Sequence, residues 1–354
     1  MLLKNALLKA LLESEGESLS GSALATRLGV SRTAIWKAAG LLREEGYVIE
    51  AGPNRGYRLI SDNDRLSEPA IRRLLTGTGF GTEIHLYSEL TSTNDKAKEL
   101  ANAGAVDGTV VIADSQSAGK GRRGRSFFSP PGSGLYLSVI LRPRLTGEQA
   151  SRITSAAAVA AARAVERAAS LPGGTGGIKW VNDLYIRGRK ICGILTEAAL
   201  DLESGLLDYA VLGIGINTAP ISFPEELHRT ATSVSNECGR PVSRSALAAC
   251  LLDELERELP GVGEPPPCRF LEESRRRSVV VGRDVLVTKG NETFSARALE
   301  IDDEGGLVVE TPAGRQTLRS GEVSVHLSQD GETPADAAEG STTPAGRSGA
   351  PNRR

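Results

Sequence analysis

Two kinds of segment alternate through the middle of the chain and leave few folds open. Runs such as "TVVIAD", "LYLSVIL" and "DYAVLGIGI" are short and almost wholly apolar, while an alanine-rich stretch from about Gln149 to Ser170 carries a helical period. Between about residues 70 and 260 this mixture predicts a sheet covered by helices. Before it the pattern reads helix, helix, helix, hairpin. Ser20 is placed to cap "SALATRLG", Gly29 ends that helix, Ser31 caps "RTAIWKAAGLLREEG", and "YVIEAGPNRGYRLI" reads as two strands about a Gly-Pro-Asn turn. After it, from Ser278 to Leu327, short strands follow one another between turns rich in Gly, Asp and Asn, which predicts a small β-barrel. The expected fold is α+β in three domains: a winged helix-turn-helix over 1–62, a central mixed sheet with helices over 63–262, and a C-terminal small β-barrel over 270–328. The polar "SDNDRLSEP" is the first linker and "GEPPP" marks the second break. The Pro, Gly, Ser and Thr of 329–354 predict a disordered tail.

A formal net charge of −2 excludes a polycation, so anion binding must rest on local patches. Cys192, Cys238, Cys250 and Cys268 form no CxxC pair, and His85, His228 and His326 are scattered, which argues against a structural zinc site and suits reduced thiols in the cytoplasm. No apolar run reaches the roughly 18 residues of a bilayer span, so no membrane partner is expected. The opening "MLLKNALLKALLESEG" is broken by Lys4 and Lys9 and repeats Leu at helical spacing, so it reads as an amphipathic helix rather than a signal peptide.

The front module carries Arg27, Arg32, Lys37, Arg43, Arg55 and Arg58 against Glu44, Glu45 and Glu50, a net charge of +3. Ser31, Arg32, Thr33 and Lys37 open the second helix of the helix-turn-helix, where such modules meet the major groove, and Arg55 and Arg58 on the wing are placed to hold phosphate. Ala34, Ile35, Leu41 and Leu42 read as core, and Trp36 suits either role. A helix–hairpin module that binds protein is the plainer alternative.

The stretch "QSAGKGRRGRSFF", Gln116 to Phe128, joins three glycines, four cations and two aromatics. Glycines let backbone N–H groups approach an anion, and Arg and Lys offset its charge. Taken alone, it also suits a solvated basic loop or a nucleic-acid patch. In "TSTNDKAKEL" the hydroxyls at residues 91–93 and Asn94 either cap a helix or address a small polar ring. In "KWVNDLY", Lys179, Asn182 and Asp183 sit at a strand end and turn, where Asn-Asp is often only a hairpin turn. "GRKICGIL" sets Lys190 on a strand beside Gly193, and "GIGIN" ends a buried strand at Asn217.

These five segments, in this order, resemble the biotin–protein ligases, and specifically the bifunctional kind that is also the biotin operon repressor. The resemblance spans about residues 1–327. It implies a two-step reaction: the carboxylate of biotin attacks the α-phosphate of ATP, giving biotinyl-adenylate and pyrophosphate, and a lysine of a biotin carboxyl-carrier protein then takes the biotinyl group. By resemblance, Ser92, Thr93, Asn94 and Gln116 address the ureido ring, while Lys120, Gly121 and Arg122 close over the chain and carboxylate. Lys190 and Arg122 serve catalysis, Lys190 by stabilising charge at the carboxylate and α-phosphate. Lys179, Asn182, Asn217 and Phe127 look placed for the nucleotide, and Asp183 for Mg²⁺. Family members often have Arg where Lys120 stands, Pro at Val181 and Trp at Phe127, and an Arg that assists the nucleotide near His326. Met1 is the only methionine, so the Met-Lys-Met turn of a carrier is missing and the acceptor is expected to be a separate protein. The family also implies a homodimer when biotinyl-adenylate is bound, pairing through sheet edges of the central domain to reach operator DNA. A ligase with a non-regulatory winged helix, a non-catalytic ligand-sensing DNA-binding repressor, and a lipoate ligase are the alternatives.

Overall fold

The computed structural model describes residues 3–52, 55–265, 268–289, 292–319 and 322–325. The tail over 329–354, His326 and the Pro53-Asn54 pair of the expected turn lie outside the described residues.

Helices α1 (Leu3–Glu13), α2 (Gly21–Leu28) and α3 (Arg32–Glu44) precede a hairpin of β1 (Val48–Gly52) and β2 (Gly56–Ser61). The Ser20 and Ser31 hydroxyls accept from Ala23 N and Ala34 N as N-caps, and Gly29 ends α2 at φ 65°, a left-handed conformation in which a side chain is strained. Leu7, Leu11, Leu24, Ile35, Leu42 and Ile49 form one core. Leu41 departs from expectation: it is half exposed, because Ile35, Ala38, Ala39 and Leu42 already make the buried stripe of α3 and the preceding residue falls about 100° round the helix. Ala34 is half-buried, and Trp36 is 63 % exposed.

Ser67 caps the short α4 (Glu68–Leu74), which leads to β3 (Ile84–Leu90), α5 (Thr93–Asn102), β4 (Val110–Gln116), β5 (Gly134–Leu141) and α6 (Ala150–Ala169). Then come β6 (Gly177–Lys179), β7 (Asp183–Ile186), β8 (Arg189–Leu200), β9 (Leu207–Asn217), α7 (Val234–Cys238), α8 (Arg244–Glu258) and α9 (Arg269–Arg277). The seven strands order as β3-β4-β5-β9-β8-β7-β6, with β3 and β4 parallel and the other neighbours antiparallel. Val110, Ile112, Leu135, Leu137 and Val139 point to one face, where the alanines of α6 (residues 156–162) and Leu247, Leu251 and Leu255 of α8 cover them. Alanine brings the α6 backbone close to the sheet, which is why so long a run of small residues is buried. Val111, Ile140, Tyr209 and Val211 line the opposite face with Ala97 and Ala101 of α5.

Strands β10 (Asp284–Lys289), β11 (Glu292–Ile301), β12 (Leu307–Thr311), β13 (Gly314–Leu318) and β14 (Glu322–Val325) form an antiparallel sheet ordered β13-β12-β11-β10-β14. Trp180, from the turn between β6 and β7, is buried in the core of this sheet and donates its Nε1–H to Gly305 O at 3.0 Å. Between the second break and Ser278, where the sequence assigns no element, α9 packs against α6. It is fastened by charge: Arg277 pairs with Glu166 (2.6 Å) and Glu273 (2.8 Å), and Glu273 also pairs with Arg163.

One buried arginine ties the front linker to the sheet. Arg244, at the start of α8, pairs with Asp64 (3.1 Å) and Asp114 of β4 (2.6 Å), and donates to Asp64 O (2.7 Å). No helix of the described residues is long and apolar enough to cross a membrane.

Candidate functional site

The glycine-rich basic segment joins β4 to β5 as a folded flap. Gly121 N donates to Arg125 O (2.7 Å) and Phe127 N to Gly119 O (2.8 Å), with the turn made at Arg123 (φ 57°) and Gly124 (φ 74°). A side chain on Gly119 would run into Phe127 O, so this position is closed to anything larger. Phe127 turns inward. A Cβ on Gly215 would lie 2.6 Å from its ring and one on Gly193 3.2 Å, and Tyr136 meets the ring edge-on at 6.3 Å. The two glycines are therefore the floor that seats Phe127. Phe128 stays at the surface, tilted against Phe223.

Under the flap lies a cleft of about 350 Å³. Lys120, Gly121, Arg122, Phe127, Lys179, Asn182, Asp183 and Lys190 all line it, so eight positions singled out in sequence converge. Lys190 Nζ is 2.8 Å from Asp183 Oδ1. That contact is an ion pair by distance only, since Oδ1 receives no aligned hydrogen bond. The Lys190 backbone is pinned to one neighbouring segment through both its polar groups: its N–H donates to Thr230 O (2.8 Å) and its carbonyl accepts from Thr232 N (2.9 Å). Lys190 pairs with Tyr185 of β7 on one side and bridges Ala231 on the other, so it is not the edge residue that a lone strand lysine usually is. Arg122 donates to Asn182 Oδ1 (3.3 Å), Asn182 Nδ2 donates to Ile194 O (3.0 Å), and Lys179 Nζ stands 5.6 Å from the centre of the Tyr185 ring. Arg123 reaches the C-terminal sheet at Thr288 O (3.1 Å).

A smaller pocket shares Lys120, Phe127, Gly193 and Leu195 with the cleft and is otherwise lined by Ser92, Thr93, Asn94, Gln116 and residues 213–215 of β9. Ser92 occupies the N-cap position of α5 but its hydroxyl caps nothing. Gln116 does that work from β4, its Oε1 accepting from Thr93 N (2.8 Å) and Thr93 Oγ1 (3.1 Å). The capping role weighed for Ser92 thus belongs to another strand, and its buried hydroxyl is spare. Asn217 is different. It is buried, and its Nδ2 donates to Thr232 O (3.2 Å), holding the segment that pins Lys190.

Several side chains here were not singled out in sequence. Asp95 pairs with Lys120 (2.6 Å) and Lys98 (3.1 Å), Glu197 with Lys98 (2.9 Å), and Ser138 lies behind Thr93 and Asn94. Burial alone would raise the Asp95 and Glu197 carboxyls. Hydrogen bonds from Lys120 and Lys98 to Asp95, and from Asn94 and Lys98 to Glu197, outweigh it and hold both below the usual carboxylate range. One signal for the floor was present: Gly213 and Gly215 are two apart, so on a strand they face the same way.

A second candidate face lies at the front. Arg32, Thr33, Trp36, Gly52, Arg55 and Tyr57 line one concavity between α2, α3 and the hairpin. Ser31, Arg32, Thr33 and Lys37 are exposed at the start of α3, while Arg58 is paired with Glu50 at 3.0 Å.

Comparison with known proteins accounts for both faces. Residues 87–217 match the family model "Biotin/lipoate A/B protein ligase family", 4–58 match "HTH domain", and 280–325 match "Biotin protein ligase C terminal domain". The "Bifunctional ligase/repressor BirA" of Bacillus subtilis is 37 % identical over 328 residues, covering 91 % of this chain and 98 % of the relative. The chain belongs to the biotin–protein ligases. Within this family the Escherichia coli protein of the same description is 30 % identical, covering 89 % of this chain and 95 % of its own. Among solved biotin–protein ligases, "Biotin protein ligase from Aquifex aeolicus in complex with biotin and ATP" has a TM-score of 0.58 at 26 % identity, covering 69 % of this chain and 98 % of that one.

Proposed function

We propose that this protein makes biotinyl-adenylate from biotin and ATP, transfers biotin to a lysine of a biotin carboxyl-carrier protein, and represses biotin-synthesis genes in response to biotin. The observation that carries the ligase reading is the meeting of a small polar pocket and a cationic cleft beneath one flap, at Lys120, Phe127 and Gly193, with Lys190 on the cleft side. Biotin's carboxylate and the phosphates of ATP repel each other in water. Between fixed cations that repulsion is offset and the reacting atoms are held in line.

The ureido ring enters the small pocket against Ser92, Thr93, Asn94 and Gln116. Those hydroxyls and amides suit a cyclic urea, whereas the dithiolane of lipoate would leave them unpaired. Lys120, Gly121 and Arg122 close over the valeryl chain and carboxylate. Lys190 leaves Asp183 to lie by the carboxylate and α-phosphate. A carboxylate oxygen attacks phosphorus, the bond to pyrophosphate breaks, and Lys190 and Arg122 stabilise the developing charge. Lys179, Asn182 and Phe127 address the nucleotide, and Asn217 acts through the Thr232 segment. In the second half-reaction the carrier lysine's amine attacks the acyl carbon, AMP leaves, and the amine's proton passes to solvent.

Mg²⁺ fits this site only with help from ATP. Among the described residues no three His, Cys, Asp or Glu side chains cluster, but Asp183 Oδ1 is buried and lacks an aligned donor. One carboxylate together with phosphate oxygens is a usual magnesium set. Bound there, Mg²⁺ neutralises phosphate charge.

The working units are a winged helix-turn-helix over 1–62, a catalytic part over 63–262, a C-terminal part over 270–328 and a tail over 329–354. Leu318 and Val323, from the two edge strands of the C-terminal sheet, share one core, which supports reading it as a small barrel. Ser31, Arg32, Thr33, Lys37 and Arg55 meet operator DNA. A homodimer forms when biotinyl-adenylate is bound, and the protein works in the cytoplasm. Labelled biotin, ATP and a carrier domain test the ligase: no transfer refutes it. A gel shift at matched salt, with and without biotin plus ATP, tests the switch: equal affinity refutes it.

A further inference from the structure

The geometry points to Glu197 as a positioning residue for biotin, one that fixes through Asn94 and Ser138 which atoms the small pocket offers to the ureido ring. The assignment rests on the ligase reading above. Glu197 sits on β8 and uses both oxygens: Oε2 accepts from Asn94 Nδ2 at 2.8 Å and Oε1 pairs with Lys98 at 2.9 Å. An ionised carboxylate only accepts, so Asn94 must turn its NH₂ toward Glu197 and its Oδ1 away. Asn94 Nδ2 also donates to Leu195 O (3.3 Å), which enforces the same orientation.

The consequence passes inward. Asn94 Oδ1 faces the Ser138 hydroxyl at 2.7 Å, and that hydroxyl also lies 2.8 Å from Thr93 Oγ1. Ser138 has one proton for two acceptors, and Asn94 Oδ1, an amide carbonyl and the nearer of the two, takes the larger share. The Thr93 proton goes to Gln116 Oε1. Thr93 Oγ1 is thus left with lone-pair capacity directed at a ligand N–H. Ser92, whose hydroxyl caps nothing, is free to donate to a ligand carbonyl. An acceptor beside a donor is the complement of the N–H and C=O of a cyclic urea. If Asn94 flips, its NH₂ faces Ser138, the Ser138 proton turns wholly to Thr93 and fills one of that hydroxyl's two lone pairs, which fixes its orientation and leaves it a single lone pair for the ligand. Gly213 gives the Asn94 amide its place, because a side chain there would collide with Asn94 Oδ1.

The test is steady-state kinetics of pyrophosphate release by the full chain. Glu197→Gln keeps the shape but supplies an NH₂, which permits the flip. It is expected to raise the KM for biotin tenfold or more while the KM for ATP and kcat stay within threefold. In a Ser138→Ala background the same change should add less than twofold, since the relay is already cut. A folded Glu197→Gln enzyme with unchanged biotin KM overturns the assignment. So does a tenfold effect that persists without Ser138, or a loss spread equally over both substrates and kcat, as a merely structural role gives. Should Glu197→Gln not fold, Asn94→Ala serves: with no Oδ1 to draw it, the Ser138 proton turns to Thr93, so the biotin KM must rise more than in the Ser138→Ala background, and an equal effect in both overturns the assignment. Biotin transfer by the wild-type chain, run alongside, tests the ligase reading separately, so the two can fail independently.

Discussion

Replacing Lys190 by Met removes the ammonium and keeps most of the stem. The cost divides into two parts of different size. For stability, the lost partner is an ion pair at 2.8 Å between side chains 31 % and 18 % exposed. A pair this open to water contributes about 1 kcal/mol or less, and stranding the Asp183 carboxylate adds about 1–3 kcal/mol. The double variant Lys190→Met with Asp183→Asn has no stranded charge and should recover most of that. For catalysis, a cation is removed from the point where two anions must meet. Loss of one such stabilising group costs roughly 2.7–4 kcal/mol in the transition state, about 10²–10³ in rate. Pyrophosphate release at saturating biotin and ATP measures the second part and thermal unfolding the first. The double variant should remain about as slow as the single one while melting near the wild type. Adenylation within threefold of wild type, in a folded Lys190→Met protein, would refute the placement of this cation at the reacting centre.

Gly213→Ala should raise the biotin KM by roughly 10–100-fold, since overpacking against Asn94 costs about 1–3 kcal/mol; isothermal titration with biotin checks it, and unchanged affinity shows that Asn94 is not confined. Asp253 accepts from Thr76 N (3.0 Å), the Thr76 hydroxyl (2.8 Å) and Gly77 N (3.0 Å), and pairs with Arg167 (3.0 Å). Burial opposes its ionisation, yet the bonds from Gly77, Thr76 and Arg167 hold the carboxyl below its usual range. Its stabilisation is therefore complete above the unfolded value near ~4 and is lost as pH falls through the folded value. Asp253→Asn should cost about 2 kcal/mol at neutral pH and progressively less in acid, measured by denaturant unfolding; a gap that does not narrow on acidification contradicts this. Lys37→Ala should lower the slope of log affinity against log salt on operator DNA by about 1, and an unaltered slope removes Lys37 from the phosphate contacts.

Local chemistry was the most legible part of the fold. Ser20, Gly29 and Ser31 announce their turns because capping acts over three or four residues, and the alanines of α6 announce a buried helix. What depends on distant partners was not legible. Helix α9 reads as a charged segment until Glu166 and Arg163 of α6 are set opposite Arg277 and Glu273. The placement of β5 beside β9, seventy residues on, leaves no local trace. The same holds at the site. Motif residues around the cleft were named from sequence by resemblance. Glu197, Asp95 and Ser138 matter only through what they touch, and nothing in their own surroundings in sequence marks them. Leu41 shows the reverse error, where an apolar residue in a helix was counted as core without asking on which side of the stripe it falls.

The clasp made by Arg244 sets a rule for cutting this protein in two. Asp64 lies just beyond the hairpin yet supplies carboxylate and carbonyl to an arginine whose other partner, Asp114, is two residues from Gln116. A fragment begun at residue 63 keeps the clasp whole. One begun at Ser67 leaves a buried guanidinium half-served next to the strand that carries Gln116, so a weak catalytic fragment of that length would reflect where the knife fell rather than any need for the front module.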